Sequence, residues 1–132
     1  MKGIEHILPT NADVAIIQLG DNFRGAVSED ELQRPYAAMI AALRQSGVKH
    51  IYCLSSWGSV ELDRYIRAGC AAEGATYVDI TPIAHDGANR AAAEGHFSHG
   101  GVNWHPGDRG MARIAQALWG QVRKLFRVEA AP

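Results

Sequence analysis

The sequence predicts an α/β fold with a parallel sheet and helices on both faces. Apolar runs typical of buried strands alternate three times with segments in which apolar residues recur at helical spacing. Parallel strands joined by helices form right-handed βαβ units, which gives a three-layer α/β/α arrangement. The length of 132 residues is typical of one domain with a buried core, so we expect a single domain over residues 1–132.

The first βαβ unit is the most clearly marked. Residues 13–19 form a near-continuous apolar run, which is typical of a parallel strand buried on both faces. Residues 20–22 predict a sharp turn at its end. Ser28 and Glu31 then form a capping box, which predicts the start of a helix. Pro35 lies inside the helical pattern that follows, so we expect the helix either to kink there or to begin there.

The remaining elements follow in the same alternation. Residues 50–54 predict the second strand and residues 59–74 the second helix, with Ser59 as its cap. Residues 76–80 predict the third strand. Residues 81–104 read as a long loop that a short helical piece at residues 89–94 could interrupt, and a loop of this length in a compact domain is usually functional. Residues 106–127 predict an amphipathic helix that Pro106 opens.

Composition and charge exclude several classes of protein. The net charge is −1 without long runs of like charge, which argues against partners such as nucleic acid or an anionic membrane. No segment approaches the roughly 20 apolar residues of a membrane span, and the N-terminal residues lack the apolar core of a signal peptide. The chain as given therefore reads as cytoplasmic, although a piece of a secreted precursor would look the same. Cys53 and Cys70 lack the spacing of a disulfide framework or zinc site, and we expect buried free thiols.

The predicted topology brings three loops to one rim. In parallel α/β sheets, ligands bind beyond the carboxyl ends of the strands. That edge holds residues 20–22 after the first strand and Ser55, Ser56 and Trp57 after the second. The segment from Thr81 onward to His105 follows the third strand. We therefore expect Asn22 and His105 at the same rim.

Asn22 and His105 are the strongest candidates for chemistry. The side-chain amide of Asn22 could donate to a developing oxyanion, or the residue could simply suit a tight turn. His105 precedes Pro106, which favours an extended backbone. Histidine titrates near neutral pH and is suited to general-base work. The alternative is a loop histidine that only hydrogen-bonds a carbonyl.

Other residues near these loops carry weaker hypotheses. Ser55 and Ser56 could supply a hydroxyl nucleophile or be ordinary loop serines. Trp57 and Trp104 could wall a substrate site or belong to the core. His96, His99 and His105 lie within ten residues, but their spacing lacks the pairing of zinc loops, and we expect no metal.

Two stretches together resemble sequence blocks of the SGNH/GDSL hydrolases, which are esterases and acylhydrolases on a flavodoxin-like α/β/α fold. The stretches are Leu19-Gly20-Asp21-Asn22 and His105-Pro106-Gly107-Asp108-Arg109-Gly110-Met111. The resemblance implies that Gly20 and Asn22 donate to the oxyanion and that His105 is the general base. It further implies a small ester or acylated-sugar substrate and no cofactor.

The chain departs from the family pattern at the nucleophile and at the acid. No Gly-Asp-Ser block is present, and Val102 stands where the family places an aspartate. Asn103 could orient the imidazole of His105 but cannot supply the negative charge that stabilises an imidazolium. Either a dyad without an acid or an acid from elsewhere, such as Asp86, is then required. By comparison with the family, the sheet is truncated to about three strands.

A sheet truncated in this way predicts an interface. Strand 13–19 is then left as an apolar edge, and such edges drive association. We therefore expect a homo-oligomer or a partner chain on this strand. A rival hypothesis is a catalytically silent acyl- or carbohydrate-binding module, with Trp57 and Trp104 as its stacking surfaces. A nucleotide-binding domain is disfavoured because no phosphate-cradling glycine loop follows the first strand.

Overall fold

The structure is a computed structural model that describes residues 8–23, 27–95 and 97–126. It is an α/β fold in which helices flank a three-stranded parallel sheet, as the sequence predicts. The chain divides into two compact units, Met1–Thr81 and Pro82–Pro132, which we name the N-terminal unit and the C-terminal unit.

The N-terminal unit contains the sheet. Its strands are β1 (Val14–Ile17), β2 (His50–Leu54) and β3 (Thr76–Val78), paired in the order β1-β2-β3. The centre of the sheet is β2, and β1 and β3 lie on either side of it. Strands β1 and β3 each end before the apolar run that predicted them ends in the sequence. The third strand stops because Ile80 N donates to the Ser55 hydroxyl rather than to a backbone carbonyl.

Helices α1 (Arg34–Gln45) and α2 (Val60–Ala72) connect the strands. The predicted capping box is confirmed, since Glu31 N donates to Ser28 Oγ and Ser28 N donates to the Glu31 carboxylate. One π-helical stretch, Glu29–Gln33, precedes α1. Pro35 lies in the first turn of α1, where its missing N–H costs least, so the regular helix begins there rather than kinking.

One apolar core joins α1 and α2 to the sheet. Gly69 allows α2 to pack closely against the π-helical stretch before α1, because a Cβ on Gly69 would lie 2.9 Å from the Gln33 carbonyl oxygen. Cys53 and Cys70 are buried free thiols, as predicted. A hydrogen bond with Cys70, together with burial, raises the pKa of Cys53, so this thiol stays protonated at neutral pH. The buried residues that share this core include Ile17, Leu32, Tyr36, Ile40, Leu43, Ile51, Cys53, Leu62, Ile66 and Cys70.

The C-terminal unit is largely helical in its described part, which corrects the prediction of a long loop over residues 81–104 but agrees with the short helical piece predicted at residues 89–94. Helix α3 (Thr81–His85) leads into it, and 3-10 turns follow at Gly87–Asn89 and Ala91–Glu94. Next come the short helix α4 (Gly100–Trp104) and the long helix α5 (Asp108–Val122), which a 3-10 turn extends to Phe126. Asx and glycine capping of short turns leaves little periodicity in the sequence, which is why this segment reads as a loop.

The start of α5 is also corrected. The helix begins at Asp108 and not at Pro106, which pairs in extended conformation with Arg90 in an antiparallel bridge. Gly107 N donates to Asn89 O at 3.0 Å, so a tertiary hydrogen bond holds the chain out of the helix at this point. No helix in the described ranges combines the length and apolar composition that crossing a membrane requires.

Candidate active site

The turn after β1 presents Asn22. Gly20 has φ +120°, a backbone conformation that favours glycine, and Phe23 N donates to Gly20 O at 3.0 Å to close the turn. A Cβ on Gly20 would also lie 3.3 Å from Ile66 Cδ1. Asn22 is exposed in this turn, so its amide is accessible to a ligand.

Asp21 joins the loops that follow β1 and β2. Its carboxylate accepts a hydrogen bond of 2.6 Å from Trp57 N. The Trp57 side chain is 1% exposed, so it belongs to the interior and cannot stack on a ligand. Of the two alternatives for Trp57, its burial favours the core over a substrate-binding surface. From the sequence alone, a large apolar side chain after a strand could belong to the core or line a binding site. The burial of the side chain in the structure distinguishes the two.

The two serines of the same loop have structural roles, which argue against their candidacy as nucleophiles. Ser55 is fully buried, and its hydroxyl accepts from Ile80 N at 2.8 Å. Ser56 is also buried; its hydroxyl donates to Ser59 O at 2.8 Å and accepts from Ser59 N at 2.9 Å. Both hydroxyls are committed to backbone groups that would otherwise lose a partner.

We predict that Ser55→Ala destabilises the fold without changing the chemistry of the site. The substitution leaves Ile80 N–H buried without an acceptor, a loss of about 1–3 kcal/mol in the free energy of unfolding. Denaturant unfolding followed by circular dichroism measures it. Ser98→Ala, at an exposed position, is the matched control and should leave stability unchanged. Equal stability of the two variants would contradict the structural role of Ser55.

Asp63 is a buried carboxylate that the sequence interpretation missed. It accepts from Ser56 N at 3.3 Å and from the hydroxyl of Tyr77. Burial and the hydrogen bond to Asp63 raise the pKa of Tyr77 to about 12, against the opposing effect of Arg67. The sequence does contain a signal for the burial of Asp63, because this residue lies beside Leu62 on the buried face of α2. Asp63 therefore positions the loop after β2.

His105 lies in the C-terminal unit between α4 and α5. Its backbone is extended, with φ −69° and ψ 165°, as the following proline predicts. His105 N donates to Val102 O at 3.0 Å, and His105 O accepts from Ala91 N at 2.9 Å. The side chain is exposed, and the Trp104 ring meets it edge-on with centroids 5.3 Å apart. Trp104 is 37% exposed, so its ring can contact a ligand.

Neither of the expected supporting residues orients the imidazole. Asp86 accepts from Ala88 N at 3.0 Å and lies 3.8 Å from the Arg109 guanidinium. The Asn103 backbone N donates to His99 O. Within the part of the chain that the structure describes, neither side chain hydrogen-bonds to His105. The carboxylate of Asp86 is instead a cap for a 3-10 turn.

Two glycines and a glutamate shape the segment around His105. A Cβ on Gly110 would lie 2.2 Å from Asn89 O, and a Cβ on Gly107 would lie 2.2 Å from Glu94 Oε1. Glu94 accepts from Arg109 N at 3.4 Å, which places its carboxylate at the start of α5, where the helix dipole favours negative charge. Glu94 was not predicted, because its partners lie 13 to 15 residues away. The spacing of glycines after His105 thus reflects close packing.

Two of the three neighbouring histidines, His99 and His105, lie in the part of the chain that the structure describes. His99 Nδ1 accepts from Gly101 N at 3.2 Å and so caps α4, and His96 lies outside the described residues. Across residues 8–23, 27–95 and 97–126, no group of three or more His, Cys, Asp or Glu side chains is placed to hold a metal ion.

Comparison of the chain with known protein families, characterised proteins and solved structures finds no match. The candidate residues fall in both units: Gly20, Asn22, Ser55 and Ser56 lie in the first, and Asp86, Asn103, Trp104 and His105 in the second. That Asn22 and His105 act on one substrate stays a prediction.

Proposed function

We propose that the chain is an acyl hydrolase of the SGNH type acting on a small ester or acylated sugar, with His105 as general base and Asn22 as oxyanion donor. One observation carries the proposal: the His105 imidazole is exposed while its backbone is held by hydrogen bonds to Val102 and Ala91. A histidine whose backbone is held in place, and whose ring nitrogens are exposed, is suited to accept a proton from a substrate or nucleophile.

The exposed amide of Asn22 also supports an acyl-transfer reaction. Asn22 presents an exposed amide from a turn whose backbone is fixed by Gly20 and closed by Phe23. A donor that needs no reorganisation stabilises developing negative charge more effectively than a mobile one.

The reaction proceeds in two balanced halves. A serine oxygen attacks the ester carbonyl carbon while His105 accepts the hydroxyl proton, and the Asn22 amide donates to the oxyanion. Collapse breaks the bond to the alcohol, which leaves with the proton from the imidazolium. Water then attacks the acyl-enzyme with His105 again as base, releasing the acid and restoring the serine.

The candidate nucleophile is the serine that remains when those with hydrogen-bonded hydroxyls are excluded. Among the described serines, five have hydroxyls hydrogen-bonded in caps, turns or the core: Ser28, Ser46, Ser55, Ser56 and Ser59. Ser98 is exposed and lies in the same unit as His105. Ser98 is therefore the candidate nucleophile in the described chain.

A fluorophosphonate probe and a p-nitrophenyl ester test the proposal together. We expect the probe to label the wild type and Ser98→Ala to abolish labelling. His105→Ala should lower ester turnover by about 10²–10⁴-fold, and Asn22→Ala by about 10²-fold or more. His85→Ala, at another exposed histidine, is the control and should retain activity. Equal turnover of His105→Ala and wild type would rule out the assignment of the base.

A catalytically silent module for acyl or carbohydrate ligands is the second candidate. The structure supports it at one point: in the described chain, no carboxylate hydrogen-bonds to His105 to steady an imidazolium. The exposed Trp104 ring beside His105 would then be the stacking surface. Absence of fluorophosphonate labelling, together with quenching of Trp104 fluorescence by an acylated sugar, would select this function. Trp104→Phe should remove that quenching.

A further inference from the structure

The outer edge of β1 carries backbone groups that no described strand uses. Lys49 N and His50 N both donate to Asp13 O, so the carbonyl of Asp13 points toward β2. Peptide groups alternate in direction along a strand. The N–H and C=O groups of Val14, Ile16 and Gln18 therefore point away from β2. In the part of the chain that the structure describes, β1 pairs with β2 alone.

This edge lacks the features that usually protect edges from association. Residues 14–19 carry no charge and no proline, whereas natural edge strands are blunted by lysine, proline or bulges. Ile16 at its middle is 53% exposed. The one charged residue beside it is Asp13, which Lys49 neutralises at 2.8 Å.

An apolar cleft of about 380 Å³ lies along the same strand. It is lined largely by apolar side chains, among them Ala15, Ile17, Met39, Leu43 and Val48. An added strand with charged side chains would bury them here without partners, at a high cost in free energy. These observations favour an occupant strand whose side chains on the cleft side are uncharged.

We propose that the occupant is β1 of a second copy of this chain, paired antiparallel about a two-fold axis at Ile16. Val14 and Gln18 lie at equal distances from Ile16 along the strand. The two-fold rotation therefore places Val14 of one copy opposite Gln18 of the other, and Ile16 opposite Ile16. Each of the three opposed pairs exchanges two hydrogen bonds, about six in all. The second copy brings an edge that is equally uncharged. Two-fold dimers with self-complementary interfaces are the commonest protein oligomers.

Cross-linking through Ile16→Cys tests the geometry directly. Residues opposed as a hydrogen-bonded antiparallel pair have Cα atoms about 5.5 Å apart, which is within the range of a disulfide. The native Cys53 and Cys70 are buried and do not compete. We expect mild oxidation to convert Ile16→Cys to a covalent dimer on non-reducing gels. Val60→Cys, at a 69% exposed position on α2, is the control and should stay monomeric on the gel.

Ile16→Lys tests the energetics. Two lysines opposed at the axis repel each other, so the dissociation constant measured by analytical ultracentrifugation should rise at least about tenfold, and Val60→Lys should leave it unchanged. Wild type that sediments as a monomer at tens of micromolar, or Ile16→Cys that fails to cross-link above the Val60→Cys control, would overturn the proposal. If Ile16→Lys does not fold, the cross-linking result alone decides.

Discussion

Replacing Gly110 by alanine is expected to destabilise the C-terminal unit by about 3 kcal/mol. A Cβ at this position would lie 2.2 Å from Asn89 O and 2.9 Å from Pro106 Cβ, so α5 must shift away from the 3-10 turn that it packs against. The contact is to backbone, which cannot rotate aside as a side chain can. The same shift would stretch the hydrogen bond from Gly107 N to Asn89 O, which holds the segment next to His105.

Gly120→Ala is the matched control in the same helix. A Cβ at Gly120 meets nothing within 4 Å, and alanine favours helix over glycine, so this variant should be stabilised by up to about 1 kcal/mol. Thermal and denaturant unfolding, followed by far-ultraviolet circular dichroism, measure both variants. Gly110→Ala that unfolds at the same midpoint as Gly120→Ala would show that the close approach to Asn89 does not exist in solution.

The second large effect is expected for Trp57→Ala, a loss of about 3–5 kcal/mol in the free energy of unfolding. The ring is 1% exposed, so its removal leaves a large cavity that neighbouring side chains fill only in part. The hydrogen bond from Trp57 N to Asp21 survives the substitution because it is made by the backbone. The measured change therefore reports the packing of the ring.

Trp104→Ala provides the comparison. Its ring is 37% exposed, and surface substitutions of this kind usually change stability by less than about 1 kcal/mol. Denaturant titrations of both variants distinguish a core tryptophan from a surface one. A small loss for Trp57→Ala would return this residue to the list of ligand-contacting candidates. A large loss for Trp104→Ala would indicate that Trp104 is structural.

The local features of this fold were predictable from sequence. The alternation of apolar runs with helical periodicity predicted three parallel strands, and Ser28 with Glu31 predicted the start of the first helix. Pro106 predicted the extended backbone of His105. Each of these depends on residues within a few positions of one another, since sterics and capping act over one turn or less.

The role of the loop after β2 was not predictable in the same way. Ser55 and Trp57 looked like site residues because they follow a strand at the functional edge of the sheet. Their actual partners, Ile80 for the Ser55 hydroxyl and Asp21 for the Trp57 backbone, lie 25 and 36 residues away. No local pattern reports such partners, because burial and long-range hydrogen bonds exist only once the strands have paired.

The sequence by itself determined the class of fold, the alternation of strands and helices along the chain and the backbone shape that presents His105 and Asn22. Tertiary structure alone decided that Trp57, Ser55 and Ser56 belong to the interior and that α5 begins only at Asp108. The physical reason is the range of the forces involved. Propensity, capping and proline sterics act between neighbours in the chain, whereas packing and burial depend on contacts between residues that are far apart in sequence.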